Sequence, residues 1–305
     1  MRFLAHGRTY LYRRSLPFFV LIVVTLFLSL IIFGSSRSFL VEARTGGMQI
    51  SFSEGQNIWR LPNALLCEPL DAPSLIPDAT CGQASSPKGS AREWILNWSE
   101  NTVVNLYSRD DGGLEIAIVE PGGMANAPNG VLIMSRAAWR DTGALTFRAS
   151  VIVGQDMQVG TANFLHDGRW EAREAGVVTS FFRSLTEVVK SGELSTGSKV
   201  AIVADGTPAK VYGHVIPAEQ GGFAVTMISE LGNTALSVRH FGLDQPVLIE
   251  PDWVDVAISS PLLLAMAVIF SVLASISQII PGSAGSAAKS RGSKTDEQPT
   301  DAENP

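Results

Sequence analysis

The chain has 305 residues and an acidic balance, with 29 Asp and Glu against 23 Lys and Arg for a net charge of −6. Acids outnumber bases through its central part, and a surface of that sign repels phosphate backbones and anionic headgroups, which sets nucleic-acid binding aside. Hydrophobic residues make up 46% of the sequence, and some of them are concentrated in two uncharged runs, 16–33 and 256–280.

Residues 1–15 carry Arg2, Arg8, Arg13 and Arg14 and no acid. The apolar run behind them has a length that crosses a hydrocarbon core of about 30 Å as a helix. Arg37, Glu42 and Arg44 follow as a mixed flank, so the positive-inside bias puts the N-terminus in the cytoplasm. A first transmembrane helix is therefore expected at residues 16–34. The rival reading is a cleaved signal peptide, with Gly34, Ser35 and Ser36 as the small residues behind its apolar core. The run is longer than the roughly 7 to 15 residues of such a core, and cleavage would leave the following domain on the same side.

Residues 35–255 read as a β-rich domain outside the cytoplasmic membrane, periplasmic in a Gram-negative cell. Alternating or apolar runs bounded by Gly, Pro, Asn and Asp predict strands at 39–44, 48–52, 102–107, 114–119, 131–134, 144–153, 158–164, 199–203, 209–216, 223–228, 235–240 and 247–249. Turn signals such as Asp111-Gly112-Gly113 and Pro128-Asn129-Gly130 separate them. The spacing points to an antiparallel β-sandwich, jelly roll or barrel. Both ends of the domain return to one membrane, so 39–44 is expected near 247–249, with pairing of the two segments as one form of that nearness.

The two cysteines of the chain, Cys67 and Cys81, lie among Pro62, Pro69, Pro73, Pro77 and Pro87. In an oxidising compartment an even pair across a short loop predicts a disulfide, contributing about 3 kcal/mol by chain entropy. No histidine lies beside them to complete a metal site. Asn97-Trp98-Ser99 is the single glycosylation sequon singled out.

Among candidate chemistry, Glu171 and Glu174 beside Trp170 suggest a carboxylate pair on a sugar-binding face, although Arg169 and Arg173 make a solvated charged edge the simpler reading. Trp59, Trp94, Trp98, Trp139 and Trp170 suit stacking platforms for a saccharide or plain core packing. His166, His214 and His240 stand far apart in sequence, with no paired spacing that seeds a metal site. No nucleophile motif is present, so no catalytic residue, cofactor or metal is predicted.

Phe181, Phe182, Leu185, Val188 and Val189 gather on one helical face, so an amphipathic helix is expected over 179–191, ended by Gly192 and dividing the domain into two modules near 179–193. The following stretch, Leu194-Ser-Thr-Gly197-Ser-Lys-Val200-Ala-Ile-Val203 and then Val211-Tyr-Gly213-His-Val215, resembles the β-barrel portion of periplasmic adaptor subunits of secretion systems. The resemblance covers only 194–231 and implies a small barrel there.

The second run, 256–280, is preceded by Glu250, Asp252 and Asp255 and followed by Lys289, Arg291 and Lys294, which predicts a second span with its C-terminus in the cytoplasm. Ala267, Ser271 and Ser275, spaced four apart, form a stripe of small residues suited to close helix packing, and Thr25 and Ser29 repeat the spacing in the first run. Trp253 reads as an interfacial anchor, and residues 281–305 as a disordered cytoplasmic tail. The expected function is a non-enzymatic envelope protein whose partners are the lipid bilayer and a membrane or envelope protein, or a second copy of itself. It would stabilise an assembly for export or polysaccharide handling. A tethered glycan-binding module is the alternative, and an envelope hydrolase with a carboxylate pair the second.

Overall fold

In the computed structural model of the chain, the described residues are 25, 36–53, 57–71, 73, 78–124, 126–155, 163–175, 187–252, 254–255, 267–269, 271–272 and 275. Their contacts divide the chain into two units, Met1–Asp255 and Val256–Pro305. The first span (Thr25 apart), Trp253, Ser29, the tail 281–305 and most of 256–280 lie outside the described residues. Among the described residues no helix is long and apolar enough to cross a membrane.

The first unit is mainly antiparallel β. Its strands are β1 (Ser36–Thr45), β2 (Gly47–Phe52), β3 (Asn57–Pro69), β4 (Ser85–Pro87), β5 (Arg92–Trp98), β6 (Val103–Ser108), β7 (Leu114–Glu120), β8 (Val131–Met134) and β9 (Leu145–Val153). There follow β10 (Leu165–Ala175), β11 (Glu187–Leu194), β12 (Lys199–Ala204), β13 (Thr207–Pro208), β14 (Val211–Pro217), β15 (Phe223–Ser229), β16 (Thr234–Arg239) and β17 (Val247–Ile249). The ladder is open and branches at β9. One branch runs through β14, β15, β1, β10 and β11. A second runs through β12, β16 and β17. The third runs through β2, β6, β7, β8 and β3, with β4 and β5 on β3. β9 serves all three because it divides its length: Leu145–Ala149 face β14, Ile152 and Val153 face β12, and the opposite edge from Ala149 onward faces β2.

Strict alternation places the core. Phe39, Val41 and Ala43 of β1, Met48, Ile50 and Phe52 of β2, and Leu145, Phe147, Ala149, Val151 and Val153 of β9 are all buried, as period-two side chains on one sheet face must be. β3 lacks a ladder to β9, yet side chains tie it there. Trp59 donates its indole N–H to the Thr146 carbonyl at 2.7 Å, and Asn57 Oδ1 accepts from the Arg148 N–H at 2.8 Å. Above this join Phe52 stacks on Trp98 at 5.2 Å, with Trp59 edge-on to Trp98 at 5.2 Å.

Several sequence expectations change. Residues 187–191, assigned to the C-terminal part of a helix, are strand β11, while 179–186 lie outside the described residues. Gly192 does not end a helix. It sits opposite Trp170, and a Cβ there would lie 2.9 Å from the indole, so the ring covers the glycine from the neighbouring strand. The strand expected at 158–164 does not include Asn163 or Phe164, its remainder lies outside the described residues, and β10 begins at Leu165. Between β8 and β9 lies the helix α1 (Arg136–Thr142), capped by Ser135 Oγ on the Ala138 N–H and closed by Gly143 at φ 78°. It drives Trp139 into the core against Phe223, 6.1 Å between ring centres. The segments 39–44 and 247–249 do not pair, since β1 ladders with β10 and β15 and β17 with β16.

Candidate functional site

Where the chain enters and leaves the β-unit, Arg37 is the organising residue. Its backbone forms a two-way bridge with Gly232, N–H to carbonyl at 2.8 and 2.9 Å, and Thr234 Oγ1 donates to its carbonyl at 3.0 Å. Its guanidinium lies between two carboxylates, Glu174 at 3.2 Å and Glu250 at 3.6 Å. Glu174 is buried and Glu250 exposed, so one cation compensates an acid inside the fold and pins the outgoing chain beside the incoming one.

A few residues further on, the Asp252 carboxylate accepts from the Val254 and Asp255 N–H groups at 3.0 and 2.8 Å, which is the geometry of a helix N-cap. Lys190 of β11 donates to Asp255 at 2.7 Å, and this bond holds the Asp255 carboxyl below its ordinary range. In the second unit, Ala267, Ser271 and Ser275 are helical and exposed, as are Val268, Ile269 and Val272. The Ser275 hydroxyl donates to the Ser271 carbonyl at 2.9 Å, the back-bonding a serine uses inside a helix.

Cys67 and Cys81 are joined by a disulfide with 5.6 Å between Cα atoms. Asp78 prepares the second half of the bond. Its carboxylate accepts from the Thr80 and Cys81 N–H groups, each at 2.8 Å, and those two donors lower its pKa. Thr80 in turn offers its carbonyl to Arg109 at 3.0 Å, so the bridged loop forms one wall of a 560 Å³ cleft. Tyr107, Arg109, Asp111, Glu115 and Asn163 line the rest. Arg109 reaches Asp111 at 3.6 Å and Glu115 at 3.9 Å. Burial nonetheless raises the Glu115 pKa, because desolvation outweighs the attraction of Arg109. The Tyr107 hydroxyl is held by the amides of Asn105 and Gln155, at 3.0 and 3.1 Å.

Glu171 and Glu174 project from opposite faces of β10. Glu174 shares the buried face with Trp170 and Ala172, and Glu171 lies on the outer face with Arg173, 2.8 Å away. The two acids therefore do not converge on one substrate. Trp59, Trp98, Trp139 and Trp170 are core residues. Trp94 is half-buried beneath the Arg92 guanidinium, 4.1 Å from its ring centre. His166 packs against Phe164, His240 contacts Ser198 at 3.4 Å, and His214 lies on β14. Burial and the nearby Arg44 lower the His166 pKa. Among the described residues no three His, Cys, Asp or Glu side chains gather as a metal site. Sequence reading missed Arg37 and the Arg109 cleft; Arg37 was legible only as a flanking charge, and the cleft is assembled from separate turns.

Comparison with protein families, with curated proteins and with solved structures returned no match.

Proposed function

We propose that this chain is a doubly anchored envelope protein. Helices at 16–34 and 256–280 cross the cytoplasmic membrane, and the β-unit between them stands on the outer side, where it binds a protein partner and stabilises a membrane assembly. The observation that supports this reading is the Arg37–Glu250 pair, which brings the two ends of the β-unit together where both apolar runs must depart. The Asp252 cap adds to it, since it starts a helical turn just ahead of the second run. Two tethers leaving one end restrain the tilt and height of the domain, which suits a fixed element in an assembly. The small-residue stripe Ala267, Ser271 and Ser275 supplies a packing face for a helix of the partner.

The test is co-purification from detergent-solubilised membranes. A stoichiometric membrane partner is expected with the native chain and is lost when Ala267, Ser271 and Ser275 become leucine. A chain extracted by alkaline carbonate, or a complex unchanged by the leucine variant, contradicts the anchoring or the contact face respectively. The second reading, glycan capture, is favoured by the cleft of 560 Å³, whose tyrosine, amide, guanidinium and carboxylate groups are those that bind sugar hydroxyls. Glycan-array binding that disappears in Arg109→Ala would support it.

A further inference from the structure

We infer that β5 is a homodimerisation edge, through which two copies of this chain join their sheets by antiparallel β5–β5 pairing around a two-fold axis at Ile95. Among the described residues, the register of β5 is with β3 alone. Among the described residues, no backbone hydrogen bond leads from 92–98 to anything else. An uncovered edge of seven residues is a template for another strand, and proteins that keep such an edge unpaired blunt it with a central charge or a proline. The middle of β5, Trp94-Ile95-Leu96, has neither.

The outer face agrees. Ile95 is 61% exposed, and Ile58, diagonal to it on β3 and opposite Asn97, is 51% exposed, while Arg60 stands directly opposite Ile95. A second copy is the occupant that the sequence of β5 itself selects. A two-fold axis normal to a sheet keeps outer face with outer face, so a residue can oppose only one of its own parity in the partner. Of the permitted registers, only the one centred on Ile95 pairs all seven residues. It sets Ile95 against Ile95, Trp94 against Leu96, Glu93 against Asn97 and Arg92 against Trp98. No charge then faces a like charge, and the two Arg92 residues stand about 20 Å apart along the ribbon, beyond the Debye length. The two Ile95 side chains meet at the axis, with Ile58 of each copy diagonal to its own Ile95. Asn97, the sequon residue, lies within the paired segment, so a glycan there would be incompatible with it.

The chain has no free cysteine, so a single introduced thiol reports its own neighbour. Residues directly opposed across an antiparallel pair have Cβ atoms about 5 Å apart, within reach of a disulfide. In the full-length protein oxidised in intact cells, Ile95→Cys is expected to give a covalent dimer. Glu93→Cys and Asn97→Cys are expected to form no covalent dimer when expressed singly and to cross-link when expressed together. Failure of Ile95→Cys to cross-link, or equal cross-linking by Glu93→Cys alone, overturns the inference. A new thiol could disturb the native disulfide, so Ile95→Lys supplies a second arm. The native chain should sediment as a dimer and this variant as a monomer with unchanged circular dichroism. A monomeric native chain also overturns it.

Discussion

Arg37 shows how one side chain can carry a structural argument. Removing it takes the Arg37 guanidinium away from the buried Glu174, and breaking a buried pair from one side costs about 3 kcal/mol. Arg37→Met should therefore lower the unfolding midpoint of the full chain in detergent, and adding Glu174→Gln should recover part of the loss because the buried carboxylate that faced Arg37 is then neutral. Glu115 makes a prediction of a different kind. Its pKa is raised in the folded state by burial, so the folded chain holds the extra proton more tightly than the unfolded chain. The stabilising effect is complete below the ordinary carboxylate range and is lost as pH rises through the raised value. Thermal melts of the native chain should fall across that window, and Glu115→Gln should flatten the fall. A slope that persists in the variant would place its origin elsewhere.

At the level of strands and loops, legibility followed alternation. The cores of β1, β2, β6, β7, β9, β12 and β15 were readable because one face is buried and the other less so, which the period of two records directly, whereas β8, β14 and β16 were readable as apolar runs between turn residues. β3 was not readable. Pro62 and the left-handed Asn63, at φ 50°, sit at the shift of register between Leu61 and Ala64, so one long strand looks like a turn in sequence. β11 was misread because valines and a glycine fit either period over so short a stretch, and Trp170, which settles the choice, is remote in sequence. The disulfide was legible from compartment and spacing, whereas the cleft it walls was not. Mutating Cys67 and Cys81 to Ala should cost about 3 kcal/mol by chain entropy, read as a lower melting temperature that matches the reduced native chain. Gly213 is legible only in three dimensions. A Cβ there would meet the Thr226 carbonyl oxygen of β15 at 2.3 Å and the ring of Phe147, its partner across the β14–β9 ladder, at 2.5 Å. Gly213→Ala should destabilise by about 3 kcal/mol, since neither backbone nor a buried ring can yield cheaply.

For the whole molecule, the central claim is that the β-unit lies outside the cytoplasmic membrane with both tethers leaving from one end. The flanking charges, the disulfide and the Arg37–Glu250 pair all support it from different directions. The carboxylate pair needed by a hydrolase is not assembled at Glu171 and Glu174, and the packing role proposed for Ala267, Ser271 and Ser275 requires a bilayer around them. The most direct test uses the absence of free thiols. Single cysteines are placed at Glu219, in the β14–β15 turn, and at Ser290, in the C-terminal tail, and intact spheroplasts are treated with a membrane-impermeant maleimide. The account predicts that the Glu219→Cys chain is labelled at once and the Ser290→Cys chain only after the membrane is permeabilised. Labelling of Ser290→Cys in sealed spheroplasts, or protection of Glu219→Cys, would contradict it.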